Sequence, residues 1–195
     1  MSDFYFYDLS DVAVDIEDLK KNLPDTVIQH CERYKNEQDL RNSFFAWAKI
    51  FKDKMIPKDV QVSFNDFGKP SIPSLEFNLS HSKDVVAIVY SNHACGIDVQ
   101  LVDTKKDIEL LSEWVLTPKE KQVFDASEDK PLCFTKYWTN KEAYYKRLGQ
   151  GIDVHQLNRE INDPSWVQRE IVASDSSRYV LTVSASEIRI PKQLF

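Results

Sequence analysis

Aromatic and polar side chains alternate along residues 4–9, which predicts a strand. Between residues 32 and 54 the apolar positions Leu40, Phe44, Trp47, Ala48 and Phe51 recur at helical spacing. They give one buried face, and Pro57 closes the helix. Residues 60–64 alternate like a strand, and Asn65-Asp66-Phe67-Gly68 supplies turn chemistry after it. Residues 85–90 form an unbroken apolar run, suited to a strand buried on both faces. Residues 91–94 turn the chain, so residues 95–101 are expected to return as the hairpin partner of that run. These elements predict a helix packed on a small sheet.

The remainder has similar parts. Thr117-Pro118-Lys119-Glu120 combines an N-cap threonine, a proline at the first helical position and a glutamate three residues after the cap. A longer helix is predicted over residues 132–148, with Gly149 placed to end it. Residues 171–173 and 179–183 flank Ser174-Asp175-Ser176-Ser177 and read as a hairpin. Residues 78–82 and 182–186 echo one another faintly, which suggests a duplicated unit joined in the charged stretch 102–109. No low-complexity linker separates the halves, so one compact body is expected.

Composition narrows the class. The chain has 195 residues, 42% hydrophobic and 12% aromatic, too apolar for a disordered tail and ordinary for a soluble domain. No run approaches the ~20 apolar residues of a membrane-spanning helix. The first residues lack a basic segment before an apolar one, so no signal peptide and a cytoplasmic location are expected. Cys31, Cys95 and Cys133 are scattered, against a disulfide framework or a structural zinc site. Twenty-five basic against 31 acidic residues give −6, which disfavours general nucleic-acid binding. Basic residues nevertheless crowd residues 20–54, either as a solvated helix face or as a patch for a few phosphates.

Only four glycines occur, against an ordinary share of ~7%. They lie in Phe67-Gly68-Lys69-Pro70, Gly96-Ile97-Asp98-Val99-Gln100 and Leu148-Gly149-Gln150-Gly151, where each marks a backbone position intolerant of a Cβ. Asp98 and Gln100, two apart on a strand, face the same side. They are either a solvated strand end or oxygen donors for a hard cation such as Mg²⁺. Trp138, Glu142 and Lys146 share one helix stripe. That stripe is either a core tryptophan with a surface ion pair, or a metal ligand and general base followed by a phosphate-facing lysine. His81 lies between Ser80 and Ser82 with no acidic partner in the motif. Its ring suits a phosphate or a backbone carbonyl equally. No nucleophilic triad can be specified, and no GxGxxG or GxxxxGK[ST] loop occurs.

Taken in order, Phe67-Gly68-Lys69-Pro70, Phe77-Asn78-Leu79-Ser80-His81-Ser82, Gly96-Ile97-Asp98-Val99-Gln100, and Trp138 through Lys146 followed by Gly149 resemble the 4′-phosphopantetheinyl transferases. The resemblance spans residues 30–155 and points to the monomeric two-half type. It implies an α+β fold of two pseudo-symmetric halves, residues 1–102 and 103–195. Each would be a long helix on a small antiparallel sheet, with the active site between them. It also implies metal ligands at Asp98 and Glu142, with Gln100 standing where the family pattern has a second acid. Catalytic roles fall on Glu142 and Lys146. Coenzyme A contacts fall on Lys69, Ser80 and His81, and on Arg33 and Arg41 for the 3′-phosphate.

The implied reaction moves the phosphopantetheine arm of coenzyme A onto a serine of an apo acyl or peptidyl carrier protein, with Mg²⁺ or Mn²⁺. No nucleic acid or membrane is involved. Two other classes stay open: a coenzyme A-binding protein of the same fold that has lost turnover through Gln100, and an interaction module without a nucleotide site.

Overall fold

A computed structural model describes residues 1–104, 107–151, 157–161, 163 and 165–189. Lys105 and Lys106, in the predicted join between halves, lie outside the described residues. The first strand, β1 (Asp3–Asp8), is followed by two short helices, α1 (Ile16–Lys20) and α2 (Asp25–Cys31), and by the long α3 (Glu37–Asp53). The helix expected from residue 32 begins only at Glu37, because Asn36 caps it by accepting from Gln38 N at 2.8 Å and Asp39 N at 3.3 Å. Of the strand expected over residues 60–64, only β2 (Ser63–Phe64) pairs, with β3 (Pro70–Ser71). Before it, Val60 N donates back to Pro57 O and spends that stretch in a turn.

The apolar run is β5 (Val85–Ser91), buried from Val85 to Tyr90. It is the central strand of a three-stranded antiparallel sheet, between β1 and β4 (Glu76–Ser82). Both of its edges are therefore occupied. For that reason the next strand, β6 (Cys95–Leu101), does not return along β5 as expected. It pairs with β8 (Arg178–Ala185), which also pairs with β7 (Trp166–Val172), in a second antiparallel sheet of order β6-β8-β7.

Between these strands lie α4 (Ile108–Val115), α5 (Pro118–Asp125) and the long α6 (Lys130–Leu148). Thr117 and Glu120 complete the predicted capping box of α5, and Gly149 ends α6 in the left-handed conformation at φ 69°. The fold is α+β, and its halves repeat one topology. Strand, long helix and two strands run as β1, α3, β4, β5 and again as β6, α6, β7, β8, each sheet ordered first, third, second. The second unit thus opens at β6, inside residues 1–102, and not at residue 103. The faint echo between residues 78–82 and 182–186 joins an edge strand, β4, to a central one, β8, which are not equivalent in this repeat.

Alternation along β5 explains the layers. Val86, Ile88 and Tyr90 face Phe44, Trp47 and Ile50 of α3, whereas Val85, Ala87 and Val89 meet Ile97, Val99, Leu181 and Val183 of the second sheet. On the far side of that sheet α6 approaches β6 closely at Gly96. A Cβ there would lie 2.0 Å from Ala143 O and 2.5 Å from Arg147 N. Glycine is required at this strand position by the helix backbone above it.

Gly96→Ala is accordingly expected to destabilise the fold by ~1–3 kcal/mol, as overpacking does, visible as a lower midpoint in urea. An unchanged midpoint would show that α6 yields freely at this contact.

Candidate active site

β6 meets the first sheet by its free edge. Asn78, Ser80 and Ser82 alternate along β4 on the face that β5 lines with Val89, Ala87 and Val85. Their side-chain oxygens accept from Ile97 N (3.0 Å), Val99 N (3.3 Å) and Leu101 N (3.0 Å). These N–H groups point away from β8, and the three polar side chains take the place of a neighbouring strand.

Asp98 sits in the middle of this seam and is 5% exposed. Its Oδ1 accepts from Ser80 Oγ at 2.9 Å and from Lys146 Nζ at 2.7 Å, and Lys146 also reaches Ser80 Oγ at 3.1 Å. Its Oδ2 is buried with no hydrogen-bond partner among the described residues. Glu142 lies one turn before Lys146 on α6. Burial pushes the Glu142 carboxyl up to about 7, the Asp98 charge adds to this, and Lys146 opposes it. For Lys146, burial works against the ammonium, but the charges of Asp98 and Glu142 prevail and raise its pKa. Two carboxylates therefore share one ammonium in a poorly solvated place.

This donor set fits a divalent cation. Asp98 offers a free oxygen, Glu142 a carboxylate whose ionisation Asp98 disfavours, and Gln100 an amide oxygen two residues along the strand. Among the described residues no group of three His, Cys, Asp or Glu side chains is placed to hold a metal.

A cleft of ≈ 340 Å³ opens beside this cluster, lined by Lys69, Ser80, His81 and Lys146 together with His30, Tyr34, Trp47 and Phe67. The His81 ring lies edge-on to Tyr34, and its Nδ1 stands 3.6 Å from Asp39 Oδ1 with no hydrogen bond. Burial lowers its pKa, against the opposing charge of Asp39. Lys69 Nζ donates to Arg147 O (2.9 Å) and Cys95 O (3.3 Å), capping the last turn of α6, and burial lowers its pKa too.

The fold thus gathers Asp98, Glu142, Lys146, Ser80, His81 and Lys69. It does not bring in the two arginines. Arg41 is paired with Asp84 at 2.8 Å, Arg33 is exposed after α2, and neither lines the cleft. Sequence reasoning missed Asn78 and Ser82 as partners of β6. Their period-two alternation with Ser80 was the available signal. It also missed Tyr34 and His30 as cleft lining, and read Trp47 only as a core position of the helix.

Comparison with known proteins bears on the same stretch. Residues 94–186 match the model of the 4′-phosphopantetheinyl transferase superfamily. The 4′-phosphopantetheinyl transferase HetI of Nostoc sp. (strain PCC 7120) is 34% identical over 140 residues, covering 62% of this chain and 59% of HetI. The transferase gsp of Aneurinibacillus migulanus is 29% identical over 141 residues, 69% of this chain and 59% of gsp. Sfp of Bacillus subtilis is 24% identical over 166 residues, 79% of this chain and 73% of Sfp. The chain spans only 59% of the length of the first two relatives.

The Glu142 shift has a signed consequence. As pH rises from 4.5 to about 7, the unfolded chain loses this proton while the folded one keeps it, so stability falls across that window. In metal-free buffer the melting temperature of wild type should drop relative to Glu142→Gln over that interval. A constant difference would mean that Glu142 ionises in the fold as readily as in water.

Proposed function

Residues 94–186 are similar to the 4′-phosphopantetheinyl transferase superfamily, and from this premise we propose that the chain moves the 4′-phosphopantetheine group of coenzyme A onto a serine hydroxyl of an apo acyl or peptidyl carrier protein. Adenosine 3′,5′-bisphosphate is the second product. One observation carries the reading: the buried Asp98, paired with the half-buried Lys146 and with its Oδ2 unpartnered among the described residues, stands beside a cleft lined by Lys69, Ser80, His81 and Lys146.

The serine oxygen forms a bond to the phosphorus that carries pantetheine, and the bond from that phosphorus to the bridging oxygen breaks. A serine hydroxyl is a weak nucleophile, so a base must take its proton. Glu142 is the proposed base, taking the proton directly or through water. Lys146 offsets the negative charge that gathers on the departing bisphosphate. His81, Ser80 and Lys69 orient the nucleotide, which lowers the barrier by positioning. The proposed contacts of Arg33 and Arg41 with coenzyme A would lie outside this cleft, and Arg41 would first have to leave Asp84.

A Mg²⁺ or Mn²⁺ ion held by Asp98 and Glu142, with Gln100 as neutral third donor, would supply charge neutralisation of the pyrophosphate. The reading takes the chain as a cytoplasmic monomer that acts without membrane or nucleic acid. Among the described residues no helix is long and apolar enough to cross a bilayer.

The direct test is incubation with coenzyme A, Mg²⁺ and a panel of apo carrier proteins, read by intact mass. Addition of the phosphopantetheine mass to one of them is expected, and no addition to any would overturn the reading. Glu142→Gln should keep the fold and lose nearly all transfer. Gln100→Glu should lower the half-saturating Mg²⁺ concentration at fixed coenzyme A and carrier, because a second carboxylate on that strand face strengthens a hard-cation site. An unchanged or higher value would remove Gln100 from the ligand set.

A further inference from the structure

The side chains that β4 lends to β6 do more than fill a seam. Asp98 lies between Ile97 and Val99, and both of those amides are fixed, by Asn78 Oδ1 and Ser80 Oγ. Two residues on, Leu101 N is fixed by Ser82 Oγ, which brackets Gln100 in the same way. The opposite edge of β6 is held by the β8 ladder, with Asp98 opposite Thr182 and Gln100 opposite Val180. The backbone carrying the carboxylate is therefore pinned on both edges, with Asp98 Oδ1 on Ser80 and Lys146 and Oδ2 without a partner among the described residues.

Ser80 itself touches the charged group and has its own role there. Asn78 and Ser82 do not share that role: their hydrogen bonds to β6 end on backbone amides.

We infer that Asn78 and Ser82 are positioning residues for the cation site, aiming Asp98 and Gln100 by holding the β6 amides on either side of them. The inference deepens the proposed transferase reading and rests on it for its link to the reaction. Polar groups behind metal ligands commonly set affinity, and their loss weakens it by about 10-fold or more. Ser82→Ala and Asn78→Ala each remove one acceptor, and Ser82→Thr restores the hydroxyl.

The experiment measures three quantities on the full chain. They are amide hydrogen exchange along β6, Mn²⁺ affinity without substrates, and the Mg²⁺ dependence of transfer. Ser82→Ala should speed exchange at Leu101 and raise the half-saturating Mn²⁺ concentration about 10-fold, with Ser82→Thr returning both toward wild type. Val27→Ala, on the buried face of α2, controls for stability and should leave Mn²⁺ affinity unmoved.

Equal Mn²⁺ affinity in wild type and both alanine variants, or a wild type that binds no Mn²⁺, overturns the inference. So does a loss in the Val27 control as large as in the alanine variants. A wild type that transfers nothing, while the alanine variants still weaken Mn²⁺ binding, overturns the transferase reading and leaves the positioning role standing.

Discussion

The free edge of β6 poses the problem that the rest of the molecule answers. Three of its amides point away from β8 into a buried junction, where each unpaired N–H would cost about 1–3 kcal/mol. Three such losses would consume much of the ~5–15 kcal/mol that holds an ordinary domain together. A further strand would satisfy them but would leave no room for a cleft. Here Asn78, Ser80 and Ser82 satisfy them instead, so the two sheets join through side chains and the space beside the join stays open.

That arrangement fixes where charge can be buried. Asp98 emerges from the seam next to Ser80, and α6 comes close enough for Lys146 to reach it only because Gly96 lets the helix backbone down onto the strand. Burial and like charge then raise Glu142 one turn away. A carboxylate pair with a single lysine is poorly satisfied on its own, and both proton uptake and a divalent cation would relieve it. The features that make the site chemically useful are the same ones that make it costly in isolation.

The repeated topology shows how two ordinary units produce one site. Each unit is a strand, a long helix and two more strands, and the cleft beside Asp98 draws its lining from both, Ser80 and His81 from the first and Lys146 from the second. The first contributes β4 with Ser80 and His81, the second contributes β6 with Asp98 and α6 with Glu142 and Lys146. Further links tie the units at their periphery. Asp8 Oδ2 accepts from Ser174 N at 2.7 Å, and Lys83 pairs with Asp175 at 2.9 Å. Asn65 Nδ2 donates to Gly149 O at 2.8 Å. Only the last of these touches the cleft, at Gly149; the others join the units away from it.

Local pattern was enough to read α6 with its glycine stop, the α5 capping box, the β7–β8 hairpin and β5 as a strand buried on both faces. Capping, left-handed termination and period-two burial are written in neighbouring residues. The scarcity of glycine also pointed correctly to Gly96, since a missing Cβ is a local property with a local cause. Strand partnership was not legible in this way. Residues 95–101 follow β5 closely enough to form a hairpin, and only the occupation of both β5 edges by β1 and β4 sends them to β8, far along the chain. For the same reason the sequence could nominate Asp98, Glu142 and Lys146 only through the resemblance of their combined motifs to a known family. It could not show that Arg41 is committed to Asp84, that Lys69 caps α6, or that Asn78 and Ser82 hold the strand beneath Asp98. Each of those facts is a contact between residues distant in sequence, and only the packed chain decides which distant residues meet.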